Sequence, residues 1–233
     1  MSHTGPILEG VGATDYERYL RVPELLAMQK DEDKLIHLEE RLFQTTHQAA
    51  ELWLRQVDFE VRRVAGHIER DELESAADLF HRSRLIIDLL RQQIVILETM
   101  APADYHVIRV NSLGRGSGQE SPGFQTLLTV GKRIWPLFDQ MLSRRGISLI
   151  EIEREPRRHT VLFRLVQAMR DYDAAFMKWR YTHLRLAIRI IGAKVQSLKG
   201  VPVMQLEMGT REAMFPPLWE TISELTSEFK PEY

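Results

Sequence analysis

Residues 43–60 read FQTTHQAAELWLRQVDFE, a segment without glycine or proline. Its apolar side chains recur at three- and four-residue spacings, which predicts part of a long amphipathic α-helix. Phe43 and His47 are one turn apart, so a phenyl ring and an imidazole share a helical face. A lone histidine on an apolar helical face is most often a buried core residue. The alternative is a group that contacts an apolar cofactor or an aromatic substrate.

The same helical pattern extends outward from this segment. It covers residues 32–66, 71–99 and 158–195, and a last helix is predicted over 211–229, interrupted by Pro216 and Pro217. Residues 111–123 and 201–210 are predicted to be irregular, and only 147–152 resembles a strand. We therefore predict an all-α fold, a bundle of long helices, in a single domain over residues 1–233 with a mobile N-terminal arm at about residues 1–14.

Composition excludes several classes of function. The chain has 233 residues, 44% hydrophobic and 27% charged, with a net charge of −2, so it has the profile of a soluble globular protein and no charge bias toward nucleic acid. It has no cysteine, which excludes disulfides, thiolate metal sites, iron–sulfur clusters and covalently attached haem. No apolar run of about 18 residues or secretory leader is apparent, so we expect a cytoplasmic protein without membrane contact.

Two histidines are candidates for cofactor chemistry. His47 and His183 each lie on the apolar face of a predicted long helix with large aromatic residues one turn away. Two such helices facing each other would form an apolar cavity with inward imidazoles, an arrangement that suits haem. A di-iron bundle needs Glu-x-x-His pairs. The residues three positions before His37, His47 and His183 are Lys34, Gln44 and Arg180, so none of these histidines has the required glutamate. A mononuclear site of two histidines and a carboxylate stays open at this point.

The segment DYHVIR, residues 104–109, supplies a second candidate pair. Tyr105 and Arg109 are one helical turn apart, just before the glycine- and serine-rich segment 111–123. An arginine can hold a carboxylate through two parallel hydrogen bonds, and a tyrosine beside it can add a hydroxyl contact. The alternative is an ordinary surface arginine.

In the segment 43–60, Glu51 and Arg55 are four residues apart and are predicted to pair on the exposed side of their helix.

These segments resemble the tryptophan 2,3-dioxygenase family, haem enzymes that open the indole ring of tryptophan. The resemblance covers most of the chain, and the pieces occur in family order. The matching segments are YERYL (16–20), FQTTHQAAELWLRQVDFE (43–60), YHVIR (105–109), SPGFQTL (121–127), WRYTHLRLAIRIIGAK (179–194) and FPPLWETISEL (215–225).

The resemblance implies roles for individual residues around a haem b iron. His183 matches the proximal haem ligand, and His47 matches the distal histidine that hydrogen-bonds the indole N–H. Phe43 matches the phenylalanine that lies against the indole ring. Arg109 matches the arginine that binds the substrate carboxylate, with Tyr105 beside it.

The resemblance also implies an assembly and a reaction. Tyr16, Tyr19 and Leu20 match residues that complete the pocket of a neighbouring subunit, and family members are homotetramers. The implied reaction uses O2 to cleave the indole C2–C3 bond of L-tryptophan, giving N-formylkynurenine.

Two segments depart from the family pattern. The family has a glycine-rich loop after the last long helix, with a threonine that contacts the substrate ammonium; here the loop reads VQSLKGVPVMQ, and Ser197 stands at the threonine position. The segment 111–123 is about four residues longer, with Ser121, or else Ser117, as the equivalent of the family serine. Both departures concern amino-acid recognition. Two alternatives therefore stay open: a haem monooxygenase acting on a modified indole or aromatic amino acid, and a helical protein that binds haem or an aromatic ligand without turnover.

Overall fold

The computed structural model describes residues 8–114, 116, 118–196, 200 and 202–229, without the side chains of Gln119 and Gln205. Within these ranges the chain forms α-helices, two short 3-10 turns and one isolated bridge between Gln196 and Pro202, which confirms the all-α prediction. The helices are α1 (Asp15–Leu20), α2 (Val22–Leu26), α3 (Glu39–Glu69), α4 (Leu73–Leu97), α5 (Pro102–Asn111), α6 (Pro122–Leu127), α7 (Val130–Arg145), α8 (Leu149–Arg154), α9 (Thr160–Ile190), α10 (Gln205–Arg211) and α11 (Pro216–Glu228).

Three long helices form the centre of the bundle because each carries a continuous apolar face. On α3 the residues of this apolar face are Val57, Val61, Val64 and Ile68, all without solvent exposure and spaced four, three and four residues apart. The helix α4 packs against both α3 and α9, so it lies between them. The predicted helices over 32–66, 71–99 and 158–195 are confirmed, with their ends shifted by up to seven residues, the largest shift being at the start of α3.

The helices α4 and α9 run parallel, and this alignment positions the cavity described below. The rings of Phe80 and Tyr172 lie 5.5 Å apart, and further along the pair Arg189 Nε donates a hydrogen bond to the Glu98 carbonyl at 3.2 Å. Residue numbers rise together along the two helices, so their C-terminal ends lie side by side. A second, smaller apolar cluster occupies that end; its buried members are Ile94, Leu97, Met100, Ile108, Leu186 and Ile190.

Three local predictions were wrong. The strand-like segment 147–152 is the start of α8, since the Ser148 hydroxyl accepts a hydrogen bond from the Glu151 N–H and caps a helix there. The segment 201–210 contains the start of α10. Pro216 and Pro217 begin α11 and do not interrupt it, because proline is well suited to the first helical turn, where its missing N–H costs nothing.

The N-terminal helices α1 and α2 project from the bundle and bury none of their residues. Residues 1–7 lie outside the described residues. Gly10 N–H donates to the Arg18 carbonyl at 3.1 Å, and Val11 N–H donates to the Glu24 carboxylate at 3.2 Å, so this part of the expected arm folds back on α1 and α2. No helix in the described ranges combines the length and the apolar character needed to cross a membrane.

Candidate functional site

A cavity of about 590 Å3 lies where the C-terminal ends of α4 and α9 meet α3 and α5. This volume is in the usual range for a site that takes a cofactor or a small ligand. Much of its wall is aliphatic, from Leu54, Leu90, Ile94, Leu97, Leu186 and Ile190. Six of the residues predicted from the sequence line this one cavity, namely Phe43, His47, Tyr105, Arg109, Ser121 and His183. Both imidazoles line this cavity, but α3 and α9 do not face each other directly, since α4 lies between them and forms a wall together with α5.

His47 projects from the N-terminal part of α3, and its tautomer is fixed by the helix backbone. Its Nδ1 lies 2.7 Å from the Phe43 carbonyl oxygen. A carbonyl can only accept, so Nδ1 carries the proton. Burial lowers the pKa of His47, against smaller opposing effects of the Phe43 carbonyl and Glu51. The ring is therefore neutral at pH 7, and its Nε2 is a hydrogen-bond acceptor.

His183 projects from α9 and is held by an aromatic stack. Its ring is parallel to that of Trp179 within 4°, with centroids 5.4 Å apart. Trp179 is stacked in turn on Phe176 and lies 5.2 Å from Phe124. Burial, and then the nearby His47, lower the pKa of His183 to about 4, so a neutral nitrogen lone pair is present at pH 7. This is the protonation state that a metal-ligating imidazole requires.

Tyr105 and Arg109 enter the cavity from α5, near Phe43 and His47. The ring of Phe43 lies 4.1 Å from that of His47 and 6.0 Å from that of Tyr105. Burial raises the pKa of Tyr105, which therefore keeps its proton at pH 7. Arg109 Nη2 donates to the Gln196 carbonyl at 3.0 Å, and no described carboxylate forms an ion pair with Arg109. The cavity therefore has a cation available for an anionic group.

Ser121 lines the cavity, but its hydroxyl is already engaged. It donates to the Glu51 carboxylate and accepts from the Phe124 N–H at 3.0 Å, which caps α6. Glu51 also accepts from the Gly123 N–H at 3.1 Å. The predicted pairing of Glu51 with Arg55 is therefore wrong, because Glu51 faces the cavity wall and anchors α6 on α3. A role for Ser121 in substrate binding stays a prediction.

The remaining predicted site residues lie elsewhere. Tyr16, Tyr19 and Leu20 belong to α1, where they are 70%, 71% and 45% exposed, and they do not line the cavity of their own chain. Ser197 and Ser117 lie outside the described residues.

Gln93 is a polar cavity residue that the sequence did not predict. The Oε1 atom of Gln93 on α4 is buried without a hydrogen-bond partner among the described residues, and Gln93 lines the cavity. A glutamine in a helical pattern gives no sequence signal that separates it from a surface residue.

The described residues contain no cluster of three histidine or carboxylate side chains that could hold a metal ion. The mononuclear site of two histidines and a carboxylate, left open by the sequence, thus has no ligand set in the described part of the chain. A cofactor that brings most of its own metal ligands and needs one imidazole fits the cavity better.

The fold and cavity define a class: a helical protein with an apolar site suited to an aromatic ligand that carries an anionic group. Comparison with known sequences is more specific. Residues 1–135 match the sequence model of the family described as tryptophan 2,3-dioxygenase. The chain belongs to the tryptophan 2,3-dioxygenase family.

Individual relatives are similar in sequence to this chain over most of its length. A tryptophan 2,3-dioxygenase of Erythrobacter litoralis is 30% identical over 87% of this chain and 95% of its own length. One of Myxococcus xanthus is 25% identical over 95% of this chain and 93% of its own. One of Xanthomonas campestris pv. campestris is 23% identical over 94% of this chain and 90% of its own.

Proposed function

We propose that this chain is a haem-dependent dioxygenase that cleaves the indole C2–C3 bond of L-tryptophan, using O2 and giving N-formylkynurenine. The observation that carries the proposal is the pairing of a neutral His47 acceptor with an arginine that has no described carboxylate partner, in one apolar cavity. L-tryptophan presents the complementary groups, an indole N–H and a carboxylate on an apolar ring system. An amine without a carboxylate would leave Arg109 without its anion.

The residues present fit a haem b group. His183 is a neutral imidazole on an apolar wall, and its orientation is set by the stacked Trp179. His183 would hold the haem iron through its imidazole, and aliphatic side chains of α4 and α9 would pack on the porphyrin. When bound, the haem iron supplies the activation of O2 that insertion of both oxygen atoms across the indole double bond requires.

The other residues of the cavity orient the substrate. The Nε2 atom of His47 accepts the indole N–H, and Phe43 lies against the ring. Arg109 holds the carboxylate through its guanidinium fork, and Tyr105 adds a hydroxyl contact. Ser197 and Ser121 would contact the amino-acid end of the substrate, as the resemblance implies. These residues raise the rate by placing the reacting atoms correctly and by excluding water.

The proposal includes the assembly. We place Tyr16, Tyr19 and Leu20 of one chain in the pocket of a neighbour within a homotetramer. Their exposure on α1, and the lack of any contribution from α1 or α2 to the cavity of their own chain, support this placement. The proposed enzyme is a single haem-binding oxygenase domain that works in the cytoplasm.

The test combines haem uptake, substrate titration and product analysis. Protein expressed with a haem supply is expected to show a Soret band that shifts with L-tryptophan, and reduced protein with tryptophan and O2 should form N-formylkynurenine. The His183→Ala variant should lose the bound haem. A hydroxylated indole would favour a monooxygenase acting on another indole. A Soret band without turnover would favour a binding protein, and no haem uptake at all would refute each of these functions.

A further inference from the structure

A row of polar side chains on α3 holds the chain segment that follows α2. We call this row the α3 stripe; it comprises Glu40, Gln44 and Gln48, at four-residue spacing. The Gln44 amide oxygen accepts from the Lys30 N–H at 2.9 Å. The Gln48 side chain forms two hydrogen bonds, accepting from the Gln29 amide at 2.8 Å and donating to the Met28 carbonyl at 3.2 Å.

Glu40 closes the other end of the same segment. Its carboxylate is nearly buried; it pairs with the Lys30 ammonium at 3.0 Å and accepts from the Ile36 N–H at 2.9 Å. Arg41, beside it, donates to the Lys30 carbonyl at 2.5 Å. Residues 28–36 are thus bound through their backbone to the first three turns of α3. Because backbone contacts fix chain direction, the α3 stripe also sets the direction in which α2 and α1 leave the bundle.

The stripe is directly beside the catalytic face of α3. Gln44 follows Phe43 in sequence, and Gln48 follows His47. The same helical turns therefore hold the cavity wall on one side and the base of the N-terminal helices on the other. Buried side chains do not fix the orientation of α1 and α2 relative to the bundle, since these helices bury no residue. The hydrogen bonds to the α3 stripe at their base fix this orientation instead.

We propose that the α3 stripe is a positioning device that aims α1 into the cavity of a second copy of this chain; the inference rests on the proposed function. Tyr16 and Tyr19 on α1 are 70% and 71% exposed among the described residues, and no described residue before Phe43 lines the cavity of the same chain. In a two-fold pair the contact would be reciprocal, so that each α1 would enter the other's cavity. Gln44 and Gln48 are then positioning residues for substrate binding, although neither touches substrate.

Spin labelling of the assembled holoprotein tests the orientation without any assay of activity. The chain has no cysteine, and Leu26 on α2 is 63% exposed, so the Leu26→Cys variant can carry one label per chain. We expect a small set of narrow label-to-label distances within the oligomer, one for each kind of subunit pair. Adding Gln48→Ala, or Gln44→Ala with Gln48→Ala, should broaden these distances, whereas Gln92→Ala, at an exposed glutamine on α4, should not.

Kinetics provide the second measurement. Gln48→Ala should raise the KM for tryptophan about tenfold, in keeping with the loss of two hydrogen bonds, with kcat and the Soret spectrum unchanged. An unchanged distance distribution and KM would overturn the inference, as would a monomeric wild-type protein. Failure of the wild-type protein to bind haem or form product would instead refute the proposed function, since the label distances do not depend on turnover.

Discussion

At the scale of single residues, the protonation of His47 matters as much as its position. Its Nδ1 proton is committed to the Phe43 carbonyl, so Nε2 is left as an acceptor only while the ring is neutral. Burial, the largest influence on its pKa, favours that neutral form. A partner for an indole N–H requires this state, a neutral ring with an unprotonated Nε2.

The pH dependence of tryptophan binding follows from this state. Because burial lowers the pKa of His47 in the folded protein, tryptophan affinity should change little around pH 7 and above, and should fall on acidification as the pH drops through the lowered pKa. Spectroscopic titration of the holoprotein measures this. N1-methyltryptophan, which has no N–H to donate, serves as the control ligand and should lack this decline. A tryptophan affinity that rises on acidification would contradict the assigned tautomer.

Arg109 gives a prediction about the other end of the substrate. The Arg109→Leu variant should weaken tryptophan binding by roughly 2–5 kcal/mol if the ion pair is desolvated, while tryptamine, which lacks the carboxylate, should bind as before. Arg109→Lys should recover part of the loss, since it keeps the charge but not the fork. Both affinities are measured by titration of the Soret band. An equal loss for tryptamine would show that Arg109 acts through its bond to Gln196 and not through the substrate.

At the scale of elements, α3 serves three purposes on different faces. It contributes Val57, Val61 and Val64 to the core, Phe43 and His47 to the cavity, and the α3 stripe to the N-terminal segment. A helix of 31 residues is about 46 Å long, so these functions can be separated along its length. A fourth purpose of α3 is to anchor α6, through the carboxylate of Glu51.

The junction of α6 with α3 depends on the absence of a side chain at position 123. A Cβ atom at Gly123 would lie 2.6 Å from Leu54 Cβ and 2.8 Å from Glu51 Oε2. The Gly123→Ala variant should therefore push α6 outward, lower stability by about 1–3 kcal/mol and speed haem loss. The matched control is Gly118→Ala, where an added Cβ meets no atom within 4 Å. Chemical unfolding and transfer of haem to an apo-globin measure the two effects, and equal behaviour of both variants would argue against close packing here.

At the scale of the whole molecule, one buried carboxylate connects the C-terminal region to the bundle. Asp173 on α9 has no solvent exposure and accepts hydrogen bonds from the Met214 N–H at 3.0 Å, the Phe215 N–H at 3.1 Å and the Trp219 indole at 2.9 Å. These contacts hold the start of α11 against α9, where Phe215 and Leu218 enter the core.

Removing this carboxylate should destabilise the entire fold. The Asp173→Ala variant leaves one buried and two partly buried donors without an acceptor, and we expect a loss of roughly 3–5 kcal/mol in the free energy of unfolding. The control is Asp171→Ala on the exposed side of the same helix, with a change of less than about 0.5 kcal/mol. Urea denaturation measures both. A small effect at Asp173 would mean that water reaches the three donors.

The sequence by itself determined the helical class, the long helices and the two histidines, because those features are local. Apolar spacing of three and four residues specifies which face of α3 or α9 is buried, whatever packs against it. The motifs around His47, Arg109 and His183 were readable for the same reason, since each is carried by a few adjacent turns.

Only the tertiary structure decided which of these groups meet and what each is free to do. The parallel alignment of α4 with α9 brings Gln93 to the cavity, the approach of α6 turns Glu51 away from Arg55, and the segment after α2 engages Gln44 and Gln48. Each outcome depends on contacts between residues distant in sequence, and helical periodicity contains no information about such contacts. The neutral charge state of His47 likewise depends on desolvation in the assembled cavity, which an isolated helix does not provide.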